Sequence, residues 1–188
     1  MKYKAIKLGI LLNSLVLMTS AVNIAYVPKS AQGDTTTAGV GKQWATSRFI
    51  VSGQCVTDNL TGLMWAKNAN LFGTTTWGSS STSGTAQYLV AQMNTNIIAT
   101  AYHLCGYSDW RLPNEAELLS LINYAADGNS ATWLTAQGFT NVQSGKSDSY
   151  WSSAPGGVGA WYIHTVESSS GTYSVSFGRY VWPVRGGE

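Results

Sequence analysis

The run Cys105-Gly106-Tyr107-Ser108-Asp109-Trp110-Arg111-Leu112-Pro113-Asn114-Glu115-Ala116-Glu117-Leu118-Leu119-Ser120-Leu121-Ile122-Asn123 decides the fold. Pro113 closes an extended Trp110-Arg111-Leu112 segment, because its ring pushes Leu112 away from helical angles. Asn114 follows as a helix N-cap, its side-chain oxygen accepting from the backbone N–H of Ala116 or Glu117. Glu117 completes a capping box by reaching back, and Glu115 and Glu117 both sit at the positive end of the helix dipole. Leu118, Leu121 and Ile122 share one face, so the helix must bury itself. The run predicts a strand or loop pinned to an amphipathic helix that ends near Asp127-Gly128.

Upstream, Arg48-Phe49-Ile50-Val51, Cys55-Val56-Thr57-Asp58 and Leu63-Met64-Trp65-Ala66 read as short strands. Asn59 to Gly62 is the turn between the last two, initiated by the Asp58 side chain. Residues 73–84 are almost all Gly, Thr and Ser around Trp77, a surface loop. Ser83 is placed to cap a first helix whose apolar face is Ala86, Leu89, Val90, Met93 and Ile97. Downstream, Ser130 to Phe139 reads as a short helical turn and residues 140–149 as polar loop.

The last forty residues change period. Tyr150–Ser153, Ala160–Val166, Tyr173–Phe177 and Val181–Arg185 read as four strands, with turns at Gly156-Gly157, Ser168–Gly171 and Gly178. Trp161, Ile163 and Thr165 alternate with Tyr162, His164 and Val166, the pattern of a half-buried antiparallel sheet. Pro183 suits an edge or a bulge. The order of a hairpin, two helices and a β-meander predicts a single α+β domain over residues 47–188.

The N-terminus reads as a secretory signal peptide over residues 1–21. Lys2, Lys4 and Lys7 precede an apolar run from Leu8 to Met18, and small residues place cleavage between positions 21 and 31. Residues 22–46 lack apolar periodicity and read as a flexible linker. The processed chain is expected to have no membrane span. The whole chain carries a net charge of +2, but cleavage after Ala21 leaves eight basic against nine acidic residues, or −1. With charged residues only 11% of the chain, nucleic acid is not an expected partner.

Cys55 and Cys105 are the only cysteines. In an exported chain such a pair reads as one disulfide, closing a loop whose constraint stabilises by roughly 4 kcal/mol. Two cysteines and two distant histidines offer no metal-ligand spacing, so neither metal nor cofactor is expected. No nucleophile or phosphate-loop motif is present, and Glu115 and Glu117 point in different directions, so the chain is not read as an enzyme. Eight tryptophans and ten tyrosines are many for this length. Trp65, Trp110 and Trp151 are assigned to the core. Tyr162, His164, Tyr173, Arg179, Tyr180 and Trp182 are the candidate ligand-binding residues, because flat aromatic faces beside a few polar groups suit sugar or peptide recognition. The same aromatics would equally serve to cover the sheet.

Five motifs occur in order: Asp58-x-x-Thr61-Gly62-Leu63-Met64-Trp65, Gly106 to Leu118 with its Trp110-Arg111-Leu112-Pro113-Asn114 centre, Tyr150-Trp151-Ser152-Ser153, Ala160-Trp161, and Val184-Arg185-Gly186-Gly187. Over roughly residues 48–187 the chain resembles the C-terminal domain family of Lcl, the Legionella collagen-like adhesin. That resemblance implies a C-type-lectin-like fold, with two helices packed on small antiparallel sheets. It also implies a bacterial extracellular binding or adhesion module, secreted, periplasmic or at the cell surface. The implied partner is a glycan, glycosaminoglycan-like in the adhesin, or a surface protein, with homo-oligomerisation as in the adhesin. The alternative is a structural or partner-binding component of an envelope or pilus-like assembly. This chain has no Lys/Arg cluster and no collagen-like Gly-X-Y stretch.

Overall fold

The computed structural model describes residues 48–124 and 129–186. The expected signal peptide and linker, and Gly187 of the last motif, lie outside these residues, as do Asp127 and Gly128, near which the second helix is expected to end. In chain order the elements are β1 (Phe49–Ser52), β2 (Cys55–Asp58), β3 (Met64–Ala66), β4 (Thr74–Thr75), α1 (Ala86–Thr95), α2 (Glu115–Ser120), α3 (Ser130–Ala136), β5 (Tyr150–Gly156), β6 (Gly159–His164), β7 (Ser169–Tyr173), β8 (Arg179–Tyr180) and β9 (Val184–Arg185). A 3₁₀ turn, Leu104–Gly106, contains the first two residues of the opening run. The strands form two sheets, ordered β1-β2-β3-β9 and β4-β8-β5-β6-β7. The architecture is α+β.

Local rules set the first sheet. Asp58 Oδ1 accepts from the Leu60 N–H at 3.0 Å and the Asp58 carbonyl from the Gly62 N–H at 2.8 Å. Gly62 takes φ +75° there, a left-handed angle that glycine adopts without a Cβ penalty. Asp58 has a second role that its sequence context does not announce. Its carboxylate is fully buried and takes a fork of hydrogen bonds from Arg48, at 2.9 and 2.7 Å. Arg48 also donates to the Ser120 carbonyl, tying β1 to the end of α2.

The run from Cys105 acts as a clamp. Asn114 Oδ1 accepts from the Glu117 N–H at 2.8 Å, and Glu117 Oε2 accepts from the Asn114 N–H at 2.7 Å, a complete capping box. Arg111 and Val184 exchange both backbone hydrogen bonds, at 2.9 and 3.0 Å. The Arg111 guanidinium grips Glu117 with two bonds and donates a third to the Gly186 carbonyl. Asn94 of α1 brackets the Trp110 backbone with two hydrogen bonds. Cys105 bonds to Cys55, S–S 2.00 Å, across a sequence separation of 50. Three other parts of the chain, β2, α1 and the β9 end, thus meet at one segment.

The core is aromatic at its centre. Trp65, Tyr150, Trp151 and Trp182 are fully buried, and the Trp182 ring packs on Trp65, Phe139 and Tyr150 at 5.7, 5.2 and 5.1 Å. Trp110 is also buried, with its indole N–H donating to the Leu104 carbonyl. Leu118, Leu121 and Ile122 of the opening run enter the same core.

Several expectations are corrected. Among the described residues there are three α-helices: the helical turn expected over Ser130 to Phe139 is α3, which Asn129 caps by accepting from the Thr132 N–H, and it adds a third helix to the two expected to pack on the sheets. Helix α2 stops at Ser120 after six residues, so Leu121 and Ile122 are buried from beyond its last turn. Thr85, not Ser83, occupies the N-cap of α1. That helix ends at Thr95, leaving Ile97 outside it and 78% exposed. Strand β7 begins four residues before the expected third strand. Its pairing with β6 runs from His164↔Ser169 to Ala160↔Tyr173, so Ser169–Gly171, expected as turn, are ladder residues. The alternation of Tyr173, Val175 and Phe177 with serines belongs mainly to a turn in which Phe177 N–H donates to Ser174 O. The fourth expected strand, Val181–Arg185, shrinks to Val184–Arg185, and a separate strand, β8, precedes it at Arg179–Tyr180. Val181, Trp182 and Pro183 cross the core between the sheets, leaving β8 in one and β9 in the other.

Candidate functional site

The surface near the β6–β7 edge gathers around Arg179, the first residue of β8. Antiparallel pairing of Thr75 with Arg179 and parallel pairing of Tyr150 with Tyr180 place β8 between β4 and β5. The guanidinium carbon lies 3.7 Å from the Tyr162 ring centre, 4.8 Å from Tyr173 and 5.2 Å from Trp151. One Nη donates to the Ser149 hydroxyl, and Nε is buried with no hydrogen-bond partner. Tyr173 continues outward to Phe177, ring centres 4.9 Å apart, and these two rings are 44% and 54% exposed. A partly buried cation is thus framed by rings and flanked by an open aromatic wall.

The charge balance singles this residue out. The three other arginines each hold a carboxylate: Arg48 with Asp58, Arg111 with Glu117, and Arg185 with Asp109. Arg179 has no carboxylate partner among the described residues. Burial lowers its pKa, with the Tyr162 and Tyr173 phenols acting in the opposite sense. Cation–π contact offsets part of the desolvation, since a guanidinium over a ring is worth roughly 0.5–2 kcal/mol depending on burial. No full counter-charge is supplied.

Of the six residues proposed from sequence, three meet here: Tyr162, Tyr173 and Arg179. His164 is nearby but engaged. Its Nδ1 is 2.9 Å from the Asp148 carbonyl and its ring 5.0 Å from Tyr162, so it fastens the loop before β5 to β6. Tyr180 is half-buried beside Tyr150, ring centres 5.9 Å apart, and its N–H donates to Ser149 O. Trp182 is a core residue, fully buried, with its indole N–H on the Ala66 carbonyl at 2.8 Å. It cannot face a ligand in this fold and leaves the site.

Sequence reasoning missed Phe177, Ser149 and the outward role of Trp151. Phe177 was legible as an aromatic in a serine-rich stretch, but its assignment to a strand hid its exposure. Trp151 is buried as expected, yet it also reaches Arg179, and its indole N–H donates to Thr75 O at 2.8 Å. That bond joins β5 to β4, supporting the platform from beneath.

A second cation–aromatic pair, Arg185 over Tyr107 at 3.7 Å, is closed by comparison. Asp109 takes two bonds from Arg185, at 2.6 and 2.9 Å, and is held below the ordinary carboxylate range by them. Among the described residues no group of three or more His, Cys, Asp or Glu side chains could hold a metal ion. No helix among them is long and apolar enough to cross a membrane.

The family described as the Lcl C-terminal domain matches residues 54–185, more than two thirds of the chain. The chain belongs to that family. The match begins one residue before Cys55 and ends at Arg185, so this Lcl C-terminal domain includes both cysteines, the capped run and the whole Arg179 cluster. A comparison with curated proteins found no match.

Proposed function

We propose that this Lcl C-terminal domain is a secreted adhesion or ligand-recognition module, C-type-lectin-like in fold, that binds a glycan or a surface protein through Tyr162, Tyr173, Phe177 and Arg179. The observation that carries this reading is Arg179, the described arginine without a carboxylate, framed by aromatics and opening onto two exposed rings. Rings of this kind stack on apolar ligand faces while a few polar groups orient the ligand. Family membership supports the adhesion class.

A glycan array together with pulldown from host-cell surfaces tests the reading. Binding should fall on Tyr173→Ala and on Arg179→Ala while thermal melting shows both variants folded. Unchanged binding in two folded variants would remove this surface from the site. Stoichiometric co-purification of an envelope protein, with no glycan or host-surface binding, would instead favour a structural part in an envelope assembly.

A further inference from the structure

We propose that the Arg179 surface recognises the carboxylate of an acidic saccharide, one uronic- or sialic-acid-type unit at a time. This rests on the reading of the surface as a glycan site and adds the chemistry of the ligand. A partly buried guanidinium without a counter-ion is an unbalanced charge, which an anion arriving in the site would complete. With one Nη on Ser149 and Nε buried, the other Nη is left to meet a single anionic group such as a carboxylate, rather than several.

Charge elsewhere argues for one carboxylate rather than a polysulfated chain. Binding a densely sulfated polymer draws on many cations acting together. Here Arg48, Arg111 and Arg185 are each occupied by their own acid. One cation remains at the aromatic surface. Beside it, Tyr173 and Phe177 stand edge to face at 67°, exposing apolar area on which the C–H face of a sugar ring can rest. A carboxylate on that ring would lie against Arg179, whose guanidinium carbon is 4.8 Å from the Tyr173 ring centre. Neutral sugars would use the wall and leave the cation unmatched.

The test needs no variant at first. The wild-type domain is titrated by calorimetry with oligosaccharides ending in glucuronate, galacturonate, mannuronate or sialate, and with the methyl ester of each. At least one acid should bind about tenfold or more tightly than its ester, the size of a charge-assisted hydrogen bond in a sheltered site. Arg179→Gln should abolish that difference, and Arg179→Lys should restore part of it; Phe177→Ala should weaken acid and ester alike. If no acid outbinds its ester, or if only a heparin fragment binds, the inference is overturned. If acid and ester bind equally and both depend on Tyr173 and Phe177, the glycan site stands and the carboxylate inference alone falls. If no saccharide binds in either form, both fall.

Discussion

The Arg179 guanidinium sits 3.7 Å from the centre of the Tyr162 ring, and a glycine makes that contact feasible. Tyr162 lies opposite Gly171 in the β6–β7 ladder, and a Cβ on Gly171 would come within 2.9 Å of the Tyr162 hydroxyl. The bare backbone of β7 therefore leaves room for the phenol, and the phenol positions the cation. The relationship links an edge-strand glycine to the charge at the candidate site.

Gly159 is the more demanding glycine. A Cβ there would fall 1.9 Å from the Tyr173 carbonyl oxygen, a backbone atom that cannot swing aside. Gly159→Ala should cost roughly 1–3 kcal/mol or more through overpacking. Gly53→Ala has open space and only a left-handed angle to tolerate, a cost of about 1–2 kcal/mol. Urea denaturation of both variants checks this; a Gly159→Ala variant as stable as the wild type would mean the β6–β7 pairing differs from that described.

Trp182 and Tyr173 should separate stability from binding. Trp182→Ala removes the hub of the aromatic core and should destabilise by about 3–5 kcal/mol. Tyr173→Ala touches an exposed ring and should change stability by about 0.5 kcal/mol or less while weakening ligand capture. Thermal melts beside binding assays read both quantities, and a stable, binding-deficient Trp182→Ala would contradict its place in the core.

Acid should loosen the clamp. Burial raises the Glu117 pKa, but hydrogen bonds from Arg111 and the Asn114 backbone outweigh it and hold the group below the ordinary range. Asp109 is held lower too, chiefly by Arg185. Because both folded-state values are depressed, their contribution is full above the unfolded carboxylate range and is lost as pH falls through the folded values. Glu117→Gln should flatten this acid limb and lower stability at neutral pH. An unchanged pH profile of denaturation midpoints would exclude Glu117 as a contributor.

Reduction should have a larger effect. Opening the Cys55–Cys105 bridge frees a loop of 50 residues, worth roughly 4 kcal/mol in chain entropy. Mass spectrometry of the unreduced protein should show the linked peptide pair, and Cys55→Ser with Cys105→Ser should lower the melting temperature markedly. Two free thiols in the oxidised protein would refute the bridge.

Much of the scaffold was legible because its signals are local. The capping box needs only Asn114 and Glu117 three residues apart, and the Asp58 turn only a side chain and a nearby N–H. The β7 error had a physical cause: a turn that alternates serine with Val175 and Phe177 carries the same period-two pattern as a strand. Register is settled by the partner strand, and β6 accepts Ser169–Tyr173.

By itself, the sequence determined the α+β class, the cysteine pair, the capped run from Cys105, the burial of Trp65, Trp110 and Trp151, and membership in the Lcl C-terminal domain family. Only the tertiary structure decided that Trp182 is core, that Phe177 is exposed, and that Arg179 lacks a carboxylate while Arg48, Arg111 and Arg185 have theirs. The reason is reach. Caps and turns close within a few residues, whereas Arg185 finds Asp109 across 76 positions and Trp182 finds Ala66 across 116. Which charges cancel and which aromatic faces water are set by such distant encounters.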